Sequence, residues 1–267
     1  MKTAAICKRF GRARLAAMFA LTALLTTVGI APPAHAQFFE NYYPGYFTLL
    51  QPGRLDITMF GGGYISDKYG DLQQGIQVEQ SVTPYVGVFG RASGYQLWEG
   101  EGFDNPLAPG TGHEARLNFG RLQGGVDLTL FPATHLYLSG GHDVGDSDGS
   151  VIEGDLSSWL FLHSQHPING SFSAIHDFQN GVTSSEIDFQ TIVFTTEKYL
   201  IMAGVGGAYY VGGFISEPGG SGTQGQGGPD LGFFYRPWQL GIGAQAGYGT
   251  AHQYGQITMY KQLSWFE

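Results

Sequence analysis

Four stretches of the sequence hold residue types that can do chemistry at close spacing. His142-Asp143-Val144-Gly145-Asp146-Ser147-Asp148-Gly149 gathers an imidazole and several carboxylates. A carboxylate and a histidine together can activate water, and hard oxygen atoms at short spacing can hold calcium. This stretch lacks the ligand order and the closing glutamate of a calcium loop, and Asp and Gly are ordinary turn residues, so a solvated loop is expected. His163-Ser164-Gln165-His166-Pro167 sets a serine beside a histidine. A nucleophilic serine needs its base within hydrogen-bond reach, but adjacent residues of a strand point to opposite faces, so no catalysis is expected there. Gly204-Val205-Gly206-Gly207 and Gly241-Ile242-Gly243-Ala244 hint at dinucleotide fingerprints. Such fingerprints need a strand, a turn and a helix in succession; here the glycines read as small residues within strands. His113, His135, His176 and His252 stand singly and read as loop or boundary residues, not ligands. No catalytic residue, cofactor or metal site is expected.

A second set carries more information. Asp56, Gln77, Glu79, Arg91, Gln123, Asp127, Asp155, Asp188, Gln190, Gln239 and Gln245 are polar residues embedded in strand-like apolar stretches. If those stretches cross a bilayer, charges at that depth are costly unless paired or hydrated, so they mark a lumen or a pathway. Two readings compete. In one, a watered lumen conducts small solutes, with selectivity set by its charges. In the other, Arg91 pairs with neighbouring carboxylates and closes the interior, leaving a structural or export-accessory barrel. The narrow channel is the favoured reading.

The elements that would position these residues follow from processing, composition and punctuation. Lys2, Lys8, Arg9, Arg12 and Arg14 precede an apolar run from Leu15 to Ile30, and Ala34-His35-Ala36 supplies a small-x-small cleavage pattern. Residues 1–36 therefore read as a cleaved export signal, too short in its apolar part for a membrane helix of ~20 residues. The single cysteine, Cys7, would leave with it, removing disulfides and thiol chemistry together. Five of the 13 Lys and Arg also leave, so the remaining eight against 22 Asp and Glu give a net charge of −14. Nucleic acid is excluded as a partner, since phosphate binding needs a basic patch. Only 13% of residues are charged while 14% are aromatic, and soluble domains carry about 25% charged residues. Without apolar runs long enough for helical spans, a closed barrel is the remaining membrane architecture.

From Arg54 the chain alternates short breaks with long polar ones. The short set is Thr83-Pro84, Pro132-Ala133-Thr134, His166-Pro167, Glu197-Lys198 and Arg236-Pro237; the long set is Ser66 to Leu72, Glu99 to Glu114, Asp143 to Ser150, Asp177 to Ser184, Phe214 to Asp230 and Thr250 to Tyr254. Strict alternation implies an all-β, antiparallel up-and-down barrel of about twelve strands over 54–267, with the short turns facing the periplasm. Residues 37–53, rich in Phe and Tyr, would pack beneath the barrel or enter it. The predicted eleventh strand is the clearest: Leu240, Ile242, Ala244, Ala246 and Tyr248 face lipid while Gln239, Gly241, Gly243, Gln245 and Gly247 face inward. Leu117 and Phe119 fall out of phase with Leu122 and Val126, which predicts a bulge near Gly120 to Arg121. Aromatic residues would form two girdles at the headgroups: Phe131, Tyr199, Tyr235, Trp238, Trp265 and Phe266 on the short-turn side, and Tyr64, Tyr69, Tyr95, Trp98, Tyr209, Tyr210, Phe214 and Tyr248 on the other.

The signal, the meander and the closing strand Gly255-Gln256-Ile257-Thr258-Met259-Tyr260-Lys261-Gln262-Leu263-Ser264-Trp265-Phe266 resemble Gram-negative outer-membrane β-barrel proteins. The resemblance implies location in the outer membrane, contact with its lipid, and insertion by an assembly machinery that reads a final aromatic residue. Here Glu267 follows Phe266, so the aromatic is penultimate. Outer-membrane hydrolases of this architecture carry a His-x-Ser-Asn element that the chain lacks, which makes a hydrolase the least favoured reading. Length and strand number are also similar to small porins for acidic oligosaccharides. Those line their lumens with basic residues, whereas the charge balance here favours cations or neutral solutes.

Overall fold

The computed structural model describes residues 50–66, 69–99, 115–160, 167–179, 182–211, 224–249 and 252–266. They form twelve strands: β1 (Arg54–Ser66), β2 (Tyr69–Ser81), β3 (Val86–Glu99), β4 (Ala115–Phe131), β5 (Thr134–Gly145), β6 (Ser150–Leu160), β7 (Ile168–Asp177), β8 (Val182–Thr195), β9 (Tyr199–Val211), β10 (Gln224–Tyr235), β11 (Leu240–Gly249) and β12 (His252–Phe266). Each strand pairs antiparallel with the next, and β1 pairs with β12 from Arg54↔Phe266 to Ser66↔Tyr254, which closes the cylinder. Closure is what the backbone demands, since a strand edge left in hydrocarbon would strand a row of N–H and C=O groups.

Connections at one end, hereafter the turn end, run through 82–85, 132–133, 161–167, 196–198 and 236–239. The opposite loop end carries 67–68, 100–114, 146–149, 178–181, 212–223 and 250–251. Alternation of breaks thus corresponds to alternation of ends. Leu50 N–H donates to Pro84 O at 3.2 Å and Gly53 N–H to Ser81 O at 2.9 Å, so the chain enters β1 along the turn between β2 and β3. The remainder of 37–53 lies outside the described residues, as do His163, His166 and His113.

Side chains alternate between two unlike faces. Along β12, Ile257 and Met259 are exposed while Gln256, Thr258 and Tyr260 are buried. Leu122 on β4, Val205 on β9 and Leu231 on β10 are likewise exposed, each flanked in its strand by inward residues. Polar residues inside and aliphatic residues outside invert the pattern of a water-soluble domain, and the inversion fits a cylinder whose solvent on the outside is lipid. β11 alternates as its sequence indicates, with Gly241, Gly243 and Gln245 buried and Ile242, Ala244 and Ala246 exposed.

Four expectations are corrected. The bulge near Gly120 to Arg121 is absent: β4 pairs in register through both residues, and its register shift falls between Thr129 and Phe131. Phe119 faces inward, where it stacks on Tyr95 at 4.7 Å and lies under the Arg121 guanidinium at 5.7 Å; its phase is regular, and its apolar character misled. Second, β10 starts at Gln224, not Leu231, because the Gly-rich stretch Gln224–Asp230 is held by the ladder to β9 from Gln224↔Tyr210 to Asp230↔Gly204. Third, Trp238 and Gln239 are not in β11. Trp238 ends a 3-10 turn, Arg236–Trp238, and Gln239 caps it at φ 47°, the left-handed region that reverses the chain after Pro237. Fourth, Tyr64 and Tyr95 point into the barrel rather than into a girdle. Phe131, Tyr199, Trp238 and Trp265 are exposed near the turn end and Tyr209 and Tyr248 near the loop end.

Candidate functional site

The interior of the cylinder is the site, and hydrogen bonds between non-neighbouring strands define it, because strands separated by others in the wall can touch only through the bore. Arg91 on β3 donates from Nε to Gln77 Oε1 on β2 at 2.9 Å and from Nη1 to Glu153 Oε1 on β6 at 3.0 Å. Gln123 on β4 donates from Nε2 to the other Glu153 oxygen and to Ser139 Oγ on β5. Gln77 Nε2 in turn reaches Glu79 Oε2 at 3.5 Å. Arg91 and Glu153 are both buried, so the pair is a polar beam across one half of the bore. In that setting each charge depends on its partner, since an uncompensated ion away from water is costly.

Nearer the loop end, Arg121 grips Asp143 with two parallel bonds, Nε to Oδ1 at 2.6 Å and Nη2 to Oδ2 at 2.9 Å. This fork geometry suits guanidinium and carboxylate. Ser147 Oγ donates to Asp143 Oδ2 at 3.1 Å, and Tyr95 lies beneath the guanidinium at 5.1 Å while accepting from Gln73 Nε2 at 3.0 Å. Lower in the same wall, Asp127 holds His135 Nδ1 at 3.1 Å from each oxygen, both side chains buried. His135 is thus an interior residue and not a boundary one. Asp56, half-buried near the turn end, pairs with Arg54 at 2.9 Å and accepts from Ser264 Oγ at 2.5 Å.

The opposite wall is built differently. Asp188 and Gln190 on β8, Asp230 on β10, Gln245 on β11 and Gln256 on β12 are all buried. Gln190 Nε2 donates to Asp230 Oδ2. Glycines at 204, 206, 228, 232, 241 and 243 occupy inward positions between these side chains. At the turn end the bore changes character. Phe60, Ala133, Trp159, Leu200, Met202, Phe234 and Tyr260, with Ile192 against them, form one apolar cluster spanning β1, β6, β8, β9, β10 and β12, and Phe234 stacks on Tyr260 at 5.9 Å. The lining is therefore uneven: one stretch of wall toward the turn end is apolar, while charged and polar side chains line the rest, including Glu79, Asp127 and His135 near that same end.

Of the sequence-derived set, Gln77, Glu79, Arg91 and Gln123 meet in the first network, Asp188, Gln190 and Gln245 lie in the second wall, and Asp127 and Asp155 are buried, Asp127 against His135. Gln239 sits on the turn-end cap. Glu153 is an interior residue that the sequence does not mark; Asp143 and Asp230 read as loop, Arg121 as part of a bulge and His135 as a boundary residue, yet all are buried in the bore. Glu153 shares the parity of Asp155 and could have been found by it; Asp143 and Asp230 sit in Asp- and Gly-rich stretches that read as turns. In the stretch 142–149 the carboxylates turn to separate partners: Asp143 to Arg121, Asp146 Oδ2 to Asn118 N–H at 2.7 Å, and Asp148 to His142 Nε2 at 2.9 Å. Ser150 Oγ is 3.5 Å from His142 Nδ1, but His142 and Asp148 are exposed at the loop end, in open solvent where nothing preorganises a reacting group.

Solved outer-membrane structures share this architecture. An outer-membrane channel from Pseudomonas putida F1 superposes with a TM-score of 0.54 at 9% identity, over 84% of this chain and 99% of that one. The fold is that of an outer-membrane β-barrel. The beta domain of the Bordetella autotransporter BrkA superposes with a TM-score of 0.50 at 10% identity, over 80% of this chain and 100% of that one. No protein-family model and no curated protein matches the chain. At such identities the likeness concerns the fold, and the interior side chains must speak for the function.

Proposed function

We propose that this chain is a narrow outer-membrane channel for small cations or small neutral solutes, delivered by an export signal at 1–36 and inserted by the outer-membrane assembly machinery. The observation that carries the reading is the charge of the bore. Among the described residues, two buried arginines stand with eight buried carboxylates: Asp71, Glu79, Asp127, Asp143, Glu153, Asp155, Asp188 and Asp230. A barrel with only a structural task has no need of carboxylates in excess of their counter-charges. A passage lined by one sign of charge concentrates the opposite ion and repels its own. The fold-level likeness to an outer-membrane channel supports the same reading.

A structural barrel is the second reading, and the apolar cluster at the turn end favours it, since packed side chains there narrow the bore. In the channel reading the same cluster is a hydrophobic constriction, the element that sets how wide and how hydrated the passage is. Planar-bilayer recording of the refolded protein separates the two. Small unitary conductance with a reversal potential favouring potassium over chloride is the expected result. Silence at every voltage, in the wild type and in a Met202→Ala/Phe234→Ala variant, leaves the structural barrel.

A further inference from the structure

We propose that Asp188 and Asp230, with the side-chain amide of Gln245, hold a hard divalent cation of the calcium class on the lumenal wall formed by β8 to β11. The register places them around one spot. Asp188 on β8 is opposite Gly206 on β9, Gly204 on β9 is opposite Asp230 on β10, and Asp230 is opposite Gln245 on β11. The two carboxylates therefore come from the strands on either side of β9 and lean over its glycines. A Cβ built at Gly206 would lie 2.7 Å from Asp188 Oδ1 and 2.5 Å from Gln245 Nε2, and one built at Gly204 would lie 2.7 Å from Asp230 Oδ1. The glycine floor is thus required by the side chains above it, and any larger residue would push them out of the cradle.

Several polar atoms meet in the cradle without partners among the described residues. Asp188 and Asp230 are each 3% exposed and Gln245 is 9% exposed. Among the described residues, neither oxygen of Asp188, nor Asp230 Oδ1, nor Gln245 Nε2 has a hydrogen-bond partner. As carboxylates the two aspartates can only repel, and a bond between them would require a proton on one. The buried arginines do not relieve them, because Arg91 is engaged by Glu153 and Gln77 and Arg121 by Asp143. Two negative charges with three oxygens unpartnered among the described residues, and side chains only 3% exposed, call for a positive charge. The Gln245 amide turned end for end offers its oxygen to the same point without losing a bond, and amide orientation follows the network around it. Tyr254, buried on β12 with its hydroxyl also unpartnered, stands within electrostatic reach of both aspartates. An all-oxygen set of this kind, completed by water, selects calcium-class ions. Asp188, Asp230 and Gln245 bring neither imidazole nor thiolate to the site, so the transition metals that favour those ligands are poorly matched.

The site rests on the channel reading only for the ion's access from water. Calorimetric titration of the refolded full chain in chelator-stripped detergent buffer with calcium chloride tests it, alongside D188N, D230N and D148N, folding being checked by heat-modifiable gel mobility. The expected result is saturable uptake of one calcium per chain that is lost in D188N and in D230N and kept in D148N, whose side chain is on the exposed loop. Thermal unfolding of the wild type should shift upward with calcium and return with chelator. No saturable binding by the wild type, binding unchanged in both interior variants, or binding lost in D148N alone would overturn the proposal. Calcium binding by a barrel without conductance keeps the site and removes the channel; conductance without calcium binding removes the site alone.

Discussion

Arg91 shows how the interior is built at the scale of a residue. Its guanidinium is shared between Gln77 and Glu153, so removing it leaves a buried carboxylate without its counter-charge. Arg91→Met should therefore destabilise the barrel by about 3–5 kcal/mol, the usual cost of breaking a buried ion pair from one side. Pairing it with Glu153→Gln should recover much of that loss, which urea unfolding in lipid vesicles can measure; a double variant as unstable as the single one would contradict the network. That Arg91 pairs with interior carboxylates is one of the two readings the sequence leaves open, the one belonging to a closed interior, and here it pairs with Glu153. Its actual partner is not legible there, because sequence spacing says nothing about which residues meet across a bore. Arg121 and Asp143 escaped for opposite reasons. The arginine fell where Phe119 had suggested a bulge, and the aspartate sat in a stretch whose Asp and Gly content reads as loop.

At the scale of the element, twelve strands and their order were legible because the breaks between them alternate in length and composition. Strand ends were less so: Tyr69–Leu72 and Gln224–Asp230 look like loops yet are paired, because a wall strand must match the length of its neighbours to satisfy their ladders. The alternation of faces makes a quantitative claim. Val205 is exposed at the middle of β9, whereas Tyr248 is exposed near the loop end of β11. An arginine facing hydrocarbon costs about 2–4 kcal/mol at mid-depth and about 0–1 kcal/mol near the interface. Val205→Arg should thus weaken the folded barrel in vesicles several-fold more, in free energy, than Tyr248→Arg. Equal costs at the two positions would mean that the exterior band is misplaced.

For the whole molecule, a scarcity of charge beside many aromatic residues, without apolar runs long enough for helical spans, points to a membrane cylinder. What the composition hid is the apolar cluster gathered on part of the bore toward the turn end. Phe60, Trp159, Leu200, Met202, Phe234 and Tyr260 come from five strands, and only closure of the cylinder makes them neighbours. That layer should set the conductance. Met202→Ala/Phe234→Ala ought to raise unitary conductance above the wild-type level in planar bilayers, and an unchanged value would place the constriction elsewhere.

The most direct test exploits the scarcity of thiols, since Cys7 is the one cysteine in the chain. In a Cys7→Ser background, Ser139→Cys puts a thiol beside Gln123 in the bore, while Leu138→Cys puts one on the exposed outer face of the same strand. A small cationic thiol reagent added during single-channel recording should step the current down in the first variant and leave the second untouched. Equal effects at the two positions, or no effect at either, would contradict a cylinder that is wet within and greasy without.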